Sequence, residues 1–175
     1  MGKRTLILHA WYENPNSQWY RWLKKELEKK GYIVYLPEIP TFNTDLPDLK
    51  KAIKAVEGFV DGSTVIIGHS LGGVLALRLG EKLKFKKLIT IAGWDYDDLY
   101  PQHKLFWENK INHYLLKEHV EERIVIHSDN DPYLTALQAE NMSKRMEGKF
   151  ILVNNAGHFT KKDGIKELLQ IFQSI

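Results

Sequence analysis

Residues 64–73 read Thr64-Val65-Ile66-Ile67-Gly68-His69-Ser70-Leu71-Gly72-Gly73, and an apolar run continues through Val74, Leu75, Ala76, Leu77 and Leu79. The first four residues are β-branched, the composition of a strand buried on both faces of a parallel sheet. From about Leu71 to Lys82 the composition turns helical. Three glycines punctuate the join. A buried strand that passes through a tight turn straight into a helix is the repeating unit of α/β sheets.

Working outward, five more short runs rich in β-branched and aliphatic residues cover residues 5–9, 32–36, 87–91, 123–127 and 150–153. Helical patterns lie between them. In the first, Asn16 or Ser17 stands where a cap belongs, Trp19, Trp22, Leu23 and Leu27 share one face, and Gly31 ends the run. The second opens near Pro47 with Leu46, Leu49, Ile53 and Val56. The last carries Ile165, Leu168, Leu169 and Phe172, with Thr160 and Asp163 spaced as a capping box. This alternation predicts a doubly wound, mostly parallel, six-stranded α/β sheet, with residues 1–175 as one domain. Ligands of such sheets bind beyond the carboxyl ends of the strands. The turns after His9, Leu36, Ile67, Ile91, His127 and Val153 are therefore the places to look for chemistry.

Composition narrows the chemistry. The chain has 175 residues, 43% hydrophobic and 27% charged, with a net charge of +3. These values fit a globular domain and argue against disorder. Cysteine is absent, which excludes disulfides, thiolate metal sites and cysteine nucleophiles. No apolar run approaches the roughly 18 residues of a membrane helix. The start of the chain reads as a first strand rather than a secretory leader. A cytoplasmic protein without nucleic-acid or membrane partners is the expectation, since Lys24-Lys25, Lys29-Lys30, Lys50-Lys51 and Lys86-Lys87 are scattered pairs.

Gly68, Ser70 and Gly72 fit G-x-S-x-G in the strand–turn–helix context that this nucleophile elbow requires. The spacing fits neither phosphate-cradling pattern, G-x-x-x-x-G-K-[ST] or G-x-G-x-x-G. The chemistry needs a serine on a sharp turn, its hydroxyl above the sheet and the next backbone N–H, here of Leu71, at a helix N-terminus. Asp131, in Ser128-Asp129-Asn130-Asp131-Pro132-Tyr133, follows the fifth strand. It could equally cap the next helix, and Asp129 is a rival acid, as are Asp95, Asp97 and Asp98 after the fourth strand. His158 follows the sixth strand in Ala156-Gly157-His158-Phe159. Serine, acid, histidine is the chain order of α/β-hydrolases. After the first strand, His9-Ala10-Trp11-Tyr12 offers a second oxyanion N–H, from Trp11 or, next, Ala10.

At these residues the chain resembles the α/β-hydrolases, and more closely the small serine hydrolases grouped with retinoblastoma-binding protein 9 and its YdeN-like bacterial relatives. Leu8-His9-Ala10-Trp11, Asn14-Pro15-Asn16-Ser17, Gly68–Gly73, Ser128–Tyr133 and Ala156–Phe159 carry the likeness across nearly the whole chain. The resemblance implies a minimal α/β-hydrolase fold and places the acid directly before the proline, at Asp131. Ala10 departs from the family's usual glycine. The Leu-x-Cys-x-Glu segment tied to retinoblastoma-protein binding cannot exist without cysteine, so that partner is not inherited.

The expected function is hydrolysis of small acyl esters through Ser70, His158 and Asp131 by way of an acyl-enzyme, with Leu71 and Trp11 as oxyanion donors. Thioesters and small amides are further candidates. Trp11, Tyr12, Trp94, Tyr133 and Phe159 are the expected substrate contacts, and neither cofactor nor metal is required. The stretch 94–120 carries Trp94, Tyr96, Tyr100, Phe106, Trp107 and Tyr114. It reads either as an aromatic acyl or leaving-group pocket or, the favoured reading, as a crossover of which only Trp94 and Asp95 reach the site. A weakly catalytic binding protein on the same scaffold, or a cofactor-free perhydrolase, are the alternatives.

Overall fold

The computed structural model describes residues 2–96 and 99–175. Its strands are β1 (Arg4–Leu8), β2 (Ile33–Tyr35), β3 (Thr64–His69), β4 (Phe85–Ile91), β5 (Val120–Ser128) and β6 (Lys149–Val153). They form one six-stranded sheet in the order β2-β1-β3-β4-β5-β6, and every neighbouring pair is parallel. The helices are α1 (Gln18–Lys29), α2 (Leu49–Val56), α3 (Leu71–Gly80), α4 (His113–His119), α5 (Ala136–Arg145) and α6 (Leu169–Ser174). From β1 the chain steps to one side for β2 and to the other for β3. The switch point between β1 and β3 is where this topology opens a crevice.

Successive strand residues face opposite sides, and here both sides are apolar. Leu6, Leu8, Ile66, Leu88 and Val125 pack beneath α2, α3, α4 and α5. Ile7, Val65, Ile67, Ile89, Ile91, Ile124 and Ile126 pack beneath α1 and α6. Every residue of β3 and of α3 is buried. That is why the run quoted at the outset lacks amphipathic contrast: it lies at the centre of the molecule, covered on all sides.

Three terminal signals resolve differently from the sequence reading. Ser17 sits at the N-cap of α1 without a side-chain cap bond, whereas Asp48 caps α2 by accepting from the Lys51 N–H at 3.0 Å. Leu46, expected on the face of α2, precedes the helix and is 54% exposed. The Thr160–Asp163 capping box forms, but around a 3-10 turn, Lys161–Asp163, that Gly164 terminates at φ 76°. A left-handed residue stops a helix, so α6 begins only at Leu169.

The join of β3 and α3 is held by backbone contact. A Cβ on Gly68 would lie 2.3 Å from the Gly72 carbonyl oxygen, and one on Gly72 would lie 2.4 Å from that of Leu8. Neither neighbour is a side chain that could swing away. Gly72→Ala is therefore expected to cost about 3 kcal/mol or more, roughly 6 °C or more in Tm. Exposed Gly58, with nothing within 4 Å of its would-be Cβ, is the control: Gly58→Ala should leave stability unchanged within about 0.5 kcal/mol. Urea unfolding of the two variants beside wild type measures the contrast.

Candidate active site

Ser70 stands between β3 and α3 at φ 53°, ψ −121°, a backbone conformation that serine rarely adopts. Bonds on both sides hold it there. Its N–H donates to the Ile91 carbonyl at 2.8 Å, and its carbonyl accepts from Gly73 N–H at 2.8 Å and Val74 N–H at 3.3 Å. The Ala10 N–H is committed to the Tyr20 hydroxyl at 3.0 Å. Of the two N–H groups considered for the β1 loop, this leaves Trp11's, which no hydrogen bond among the described residues occupies.

His158 Nε2 lies 2.9 Å from Ser70 Oγ, and His158 Nδ1 lies 2.8 Å from Asp131 Oδ2. A carboxylate only accepts, so Nδ1 carries the hydrogen and Nε2 of the neutral ring accepts from the serine hydroxyl. The Asp131 side chain is fully buried and that of His158 is 12% exposed. Asp131 Oδ1 accepts from the N–H groups of Tyr133 (2.8 Å) and Leu134 (3.2 Å). It orients a turn, while Thr135, not Asp131, caps α5.

The loop that carries His158 is fastened residue by residue to the loop after β5. Asp129 accepts from Asn155 N–H at 2.8 Å, Ser128 Oγ from Ala156 N–H at 3.0 Å, and Asn130 Oδ1 from Gly157 N–H at 2.8 Å. Asp129 is thereby occupied and is not the partner of His158. From the other side Asp163 accepts from the backbone N–H of His158 at 3.1 Å and of Thr160 at 2.8 Å. Burial opposes the Asp163 charge, but these bonds outweigh it and keep its pKa below the ordinary carboxylate value. Gly157, at φ 54°, leaves no room for a Cβ beside that carboxylate.

Asp95 is excluded as the acid by its own partners. His113 Nε2 lies 2.8 Å from Oδ2, and Arg145 binds both oxygens at 2.7 Å. The three line a separate cleft of about 700 Å³ with Trp107 and Asn141, so Asp95 does not reach the site as expected. Asp97 and Asp98 lie outside the described residues. Among the described residues, no group of three or more His, Cys, Asp or Glu side chains is placed to hold a metal ion. No helix among them is long and apolar enough to cross a membrane.

Ser70 and His158 open into a cavity of about 480 Å³ walled by Trp11, Tyr12, Trp94, Tyr100, His103 and Tyr133. Trp11 is pinned by its indole N–H, which donates to the Thr44 carbonyl at 2.8 Å, and the Tyr12 hydroxyl donates to Asp45. Tyr133 meets the His158 ring edge-on at 4.8 Å. Phe159, an expected substrate contact, is not in this wall. It turns at φ 57° and is fully buried on the α1–α6 side of the sheet. Tyr100, one of the aromatics of the stretch 94–120, does reach this wall, and so does His103, which no sequence signal marks. They lie in and beside an irregular 3-10 turn, Pro101–Phe106, which has no periodicity to read. His103 is 3% exposed, and neither ring nitrogen has a hydrogen-bond partner among the described residues, nor does Trp94 Nε1. Burial pulls the His103 pKa down to about 4, so its ring is neutral at ordinary pH.

The sequence profile of the serine hydrolase family matches residues 5–175. Serine hydrolase RBBP9 of Rattus norvegicus is 24% identical over 160 residues, 90% of this chain and 86% of that protein. The structure of the ydeN gene product of B. subtilis superposes with a TM-score of 0.88 at 22% identity, covering 98% of this chain and 96% of that one. That of a carboxylesterase from the thaumarchaeon Nitrososphaera gargenis does so with a TM-score of 0.72 at 13% identity, covering 99% and 89%. With a serine on the elbow, a histidine at hydrogen-bond distance and a family match spanning nearly its full length, the chain belongs to the serine hydrolase family.

Proposed function

We propose that Ser70, His158 and Asp131 act as a catalytic triad that hydrolyses small carboxylic esters through an acyl-enzyme. The observation that carries this reading is the imidazole of His158 bridging Ser70 Oγ at 2.9 Å and Asp131 Oδ2 at 2.8 Å. In the first half-reaction Ser70 Oγ attacks the carbonyl carbon as its proton passes to His158 Nε2. Asp131 fixes the ring through Nδ1–H and stabilises the imidazolium. The N–H groups of Leu71 and Trp11 receive the oxyanion, each typically worth about 3–4 kcal/mol. His158 then protonates the departing alkoxide, forming the alcohol. In the second half-reaction the same base activates water, which cleaves the acyl–Ser70 bond and releases the acid.

The cavity supports a compact substrate. About 480 Å³ behind an aromatic wall accommodates a short or flat acyl group. Thioesters use the same steps with a thiolate as leaving group. Small amides are harder, because the leaving amine must be protonated as the intermediate collapses.

Fluorophosphonate labelling read by intact mass tests the serine. Wild type should gain one adduct, and Ser70→Ala and His158→Ala none within the same time; Asp131→Ala should label at least about 100-fold more slowly. A folded wild type that gains no adduct overturns the triad and leaves a binding role on this scaffold. Turnover of p-nitrophenyl esters tests the cavity: kcat/KM should fall at least about tenfold from butanoate to dodecanoate. A rising series would show that the acyl chain leaves the cavity along another surface.

A further inference from the structure

The motif G-x-S-x-G makes no demand on its second residue, yet here that residue is a buried polar group engaged at both ends. His69 is 1% exposed. Its Nε2 lies 2.8 Å from the carbonyl oxygen of His158, and its Nδ1 lies 2.5 Å from the hydroxyl of Tyr20. Tyr20 is itself fully buried and accepts from the Ala10 N–H at 3.0 Å.

The direction of every bond follows from the acceptors. The His158 carbonyl only accepts, so His69 Nε2 carries the hydrogen. Burial depresses the His69 pKa to about 3, so the ring is neutral and Nδ1 is an acceptor. The Tyr20 proton therefore points to Nδ1, and burial raises the Tyr20 pKa well above its ordinary value and keeps that proton in place. The hydroxyl oxygen is left to receive the Ala10 N–H. The chain Ala10 N–H, Tyr20 O–H, His69 Nε2–H, His158 C=O runs in one sense, the arrangement in which hydrogen bonds polarise and strengthen one another.

We propose that Tyr20 and His69 are positioning residues that lock the backbone of the catalytic histidine to the loop supplying the second oxyanion N–H, with the nucleophile's own turn as the middle link. This inference rests on the triad reading above. The chain starts one residue before Trp11, passes through the residue before Ser70 and ends on His158 itself. The rings of His69 and His158 lie 5.5 Å apart between centroids, so a neutral His69 adds no charge beside the imidazolium that forms during acyl transfer. An aliphatic side chain at position 69 would fill the same space without desolvating an imidazole. What it could not do is fix the His158 carbonyl and the Ala10 N–H relative to one another.

Tyr20→Phe, His69→Leu and His69→Gln test this by steady-state ester kinetics, fluorophosphonate labelling rate and thermal unfolding. Tyr20→Phe and His69→Leu should lower kcat about 10- to 100-fold with KM within about twofold, because misplacement of reacting groups acts on the transition state. Labelling should slow by a similar factor. His69→Gln, whose amide N–H reaches toward the same carbonyl, should recover activity over His69→Leu by at least about fivefold at equal or lower Tm. A folded Tyr20→Phe with kcat within threefold of wild type overturns the inference, and so does a glutamine variant no better than leucine. Should His69→Leu not fold, the loss of one hydroxyl in Tyr20→Phe decides. If wild type fails to label, the triad reading itself falls; if it labels and the variants keep pace, only the positioning role does.

Discussion

The approach of helix backbone to strand backbone at Gly72 is the constraint on which the rest of the site depends. With no Cβ at this position, the first turn of α3 presses onto the ends of β1 and β3, close to the carbonyl oxygens of Leu8 and His9. That contact sits on the seam between β1 and β3, where strand order reverses. It compresses the turn from β3 into α3 to a single residue, Ser70, and drives that residue into the left-handed region. A conformation of this kind costs about 1–3 kcal/mol. It persists because α3 is buried along its whole length, so relaxing the turn would unpack the centre of the molecule.

Opposite the serine, the histidine is held by bonds between two loops rather than by packing. Four consecutive residues, Ser128 at the end of β5 and Asp129 to Asp131 beyond it, bind four consecutive residues after β6, Asn155 to His158, in a comb whose last tooth is the Asp131–His158 bond. Parallel pairing of β5 and β6 brings the two loops out side by side, and short polar side chains span the gap. Asp131 and His158 are consequently placed by the same register that pairs the strands.

Much of this was legible because it is local. The elbow, the strand ends and the order of serine, acid and histidine each depend on a few adjacent residues. The choice of Asp131 over Asp129 was not settled by local pattern, since both are carboxylates in one turn; only the three-dimensional comb assigns one to a backbone N–H and the other to the imidazole. Phe159 was misplaced because adjacency in sequence was taken for adjacency in space. A positive φ at that residue turns its ring through to the far side of the sheet. Tyr20 stands outside the helical face read from Trp19, Trp22, Leu23 and Leu27, and its bond to a histidine 49 positions away leaves no trace in the periodicity. His103 leaves no signal for a related reason, and Tyr100 only its aromatic character: an irregular segment offers no pattern from which to infer a facing direction.

The two sides of the cavity are built on different principles. On the side of Ser70 and His158, the polar groups that orient the histidine loop are paired, and the bonds come from loops after β1, β3, β5 and β6. The opposite wall includes Trp94, Tyr100 and His103, all from the segment after β4, and there buried ring nitrogens stand without hydrogen-bond partners among the described residues. Each such group costs about 1–3 kcal/mol when left unmet in the interior. At Trp94 and His103 that cost falls on the cavity wall, while the groups bonded to the histidine loop do not bear it. Because, among the described residues, the β4 segment contributes nothing to the comb or to the elbow's hydrogen bonds beyond the Ile91 carbonyl, its side chains can change while Ser70 and His158 stay where they are. On the proposed triad reading, the fold thus separates the residues assigned to acyl transfer from those that would meet the acyl group.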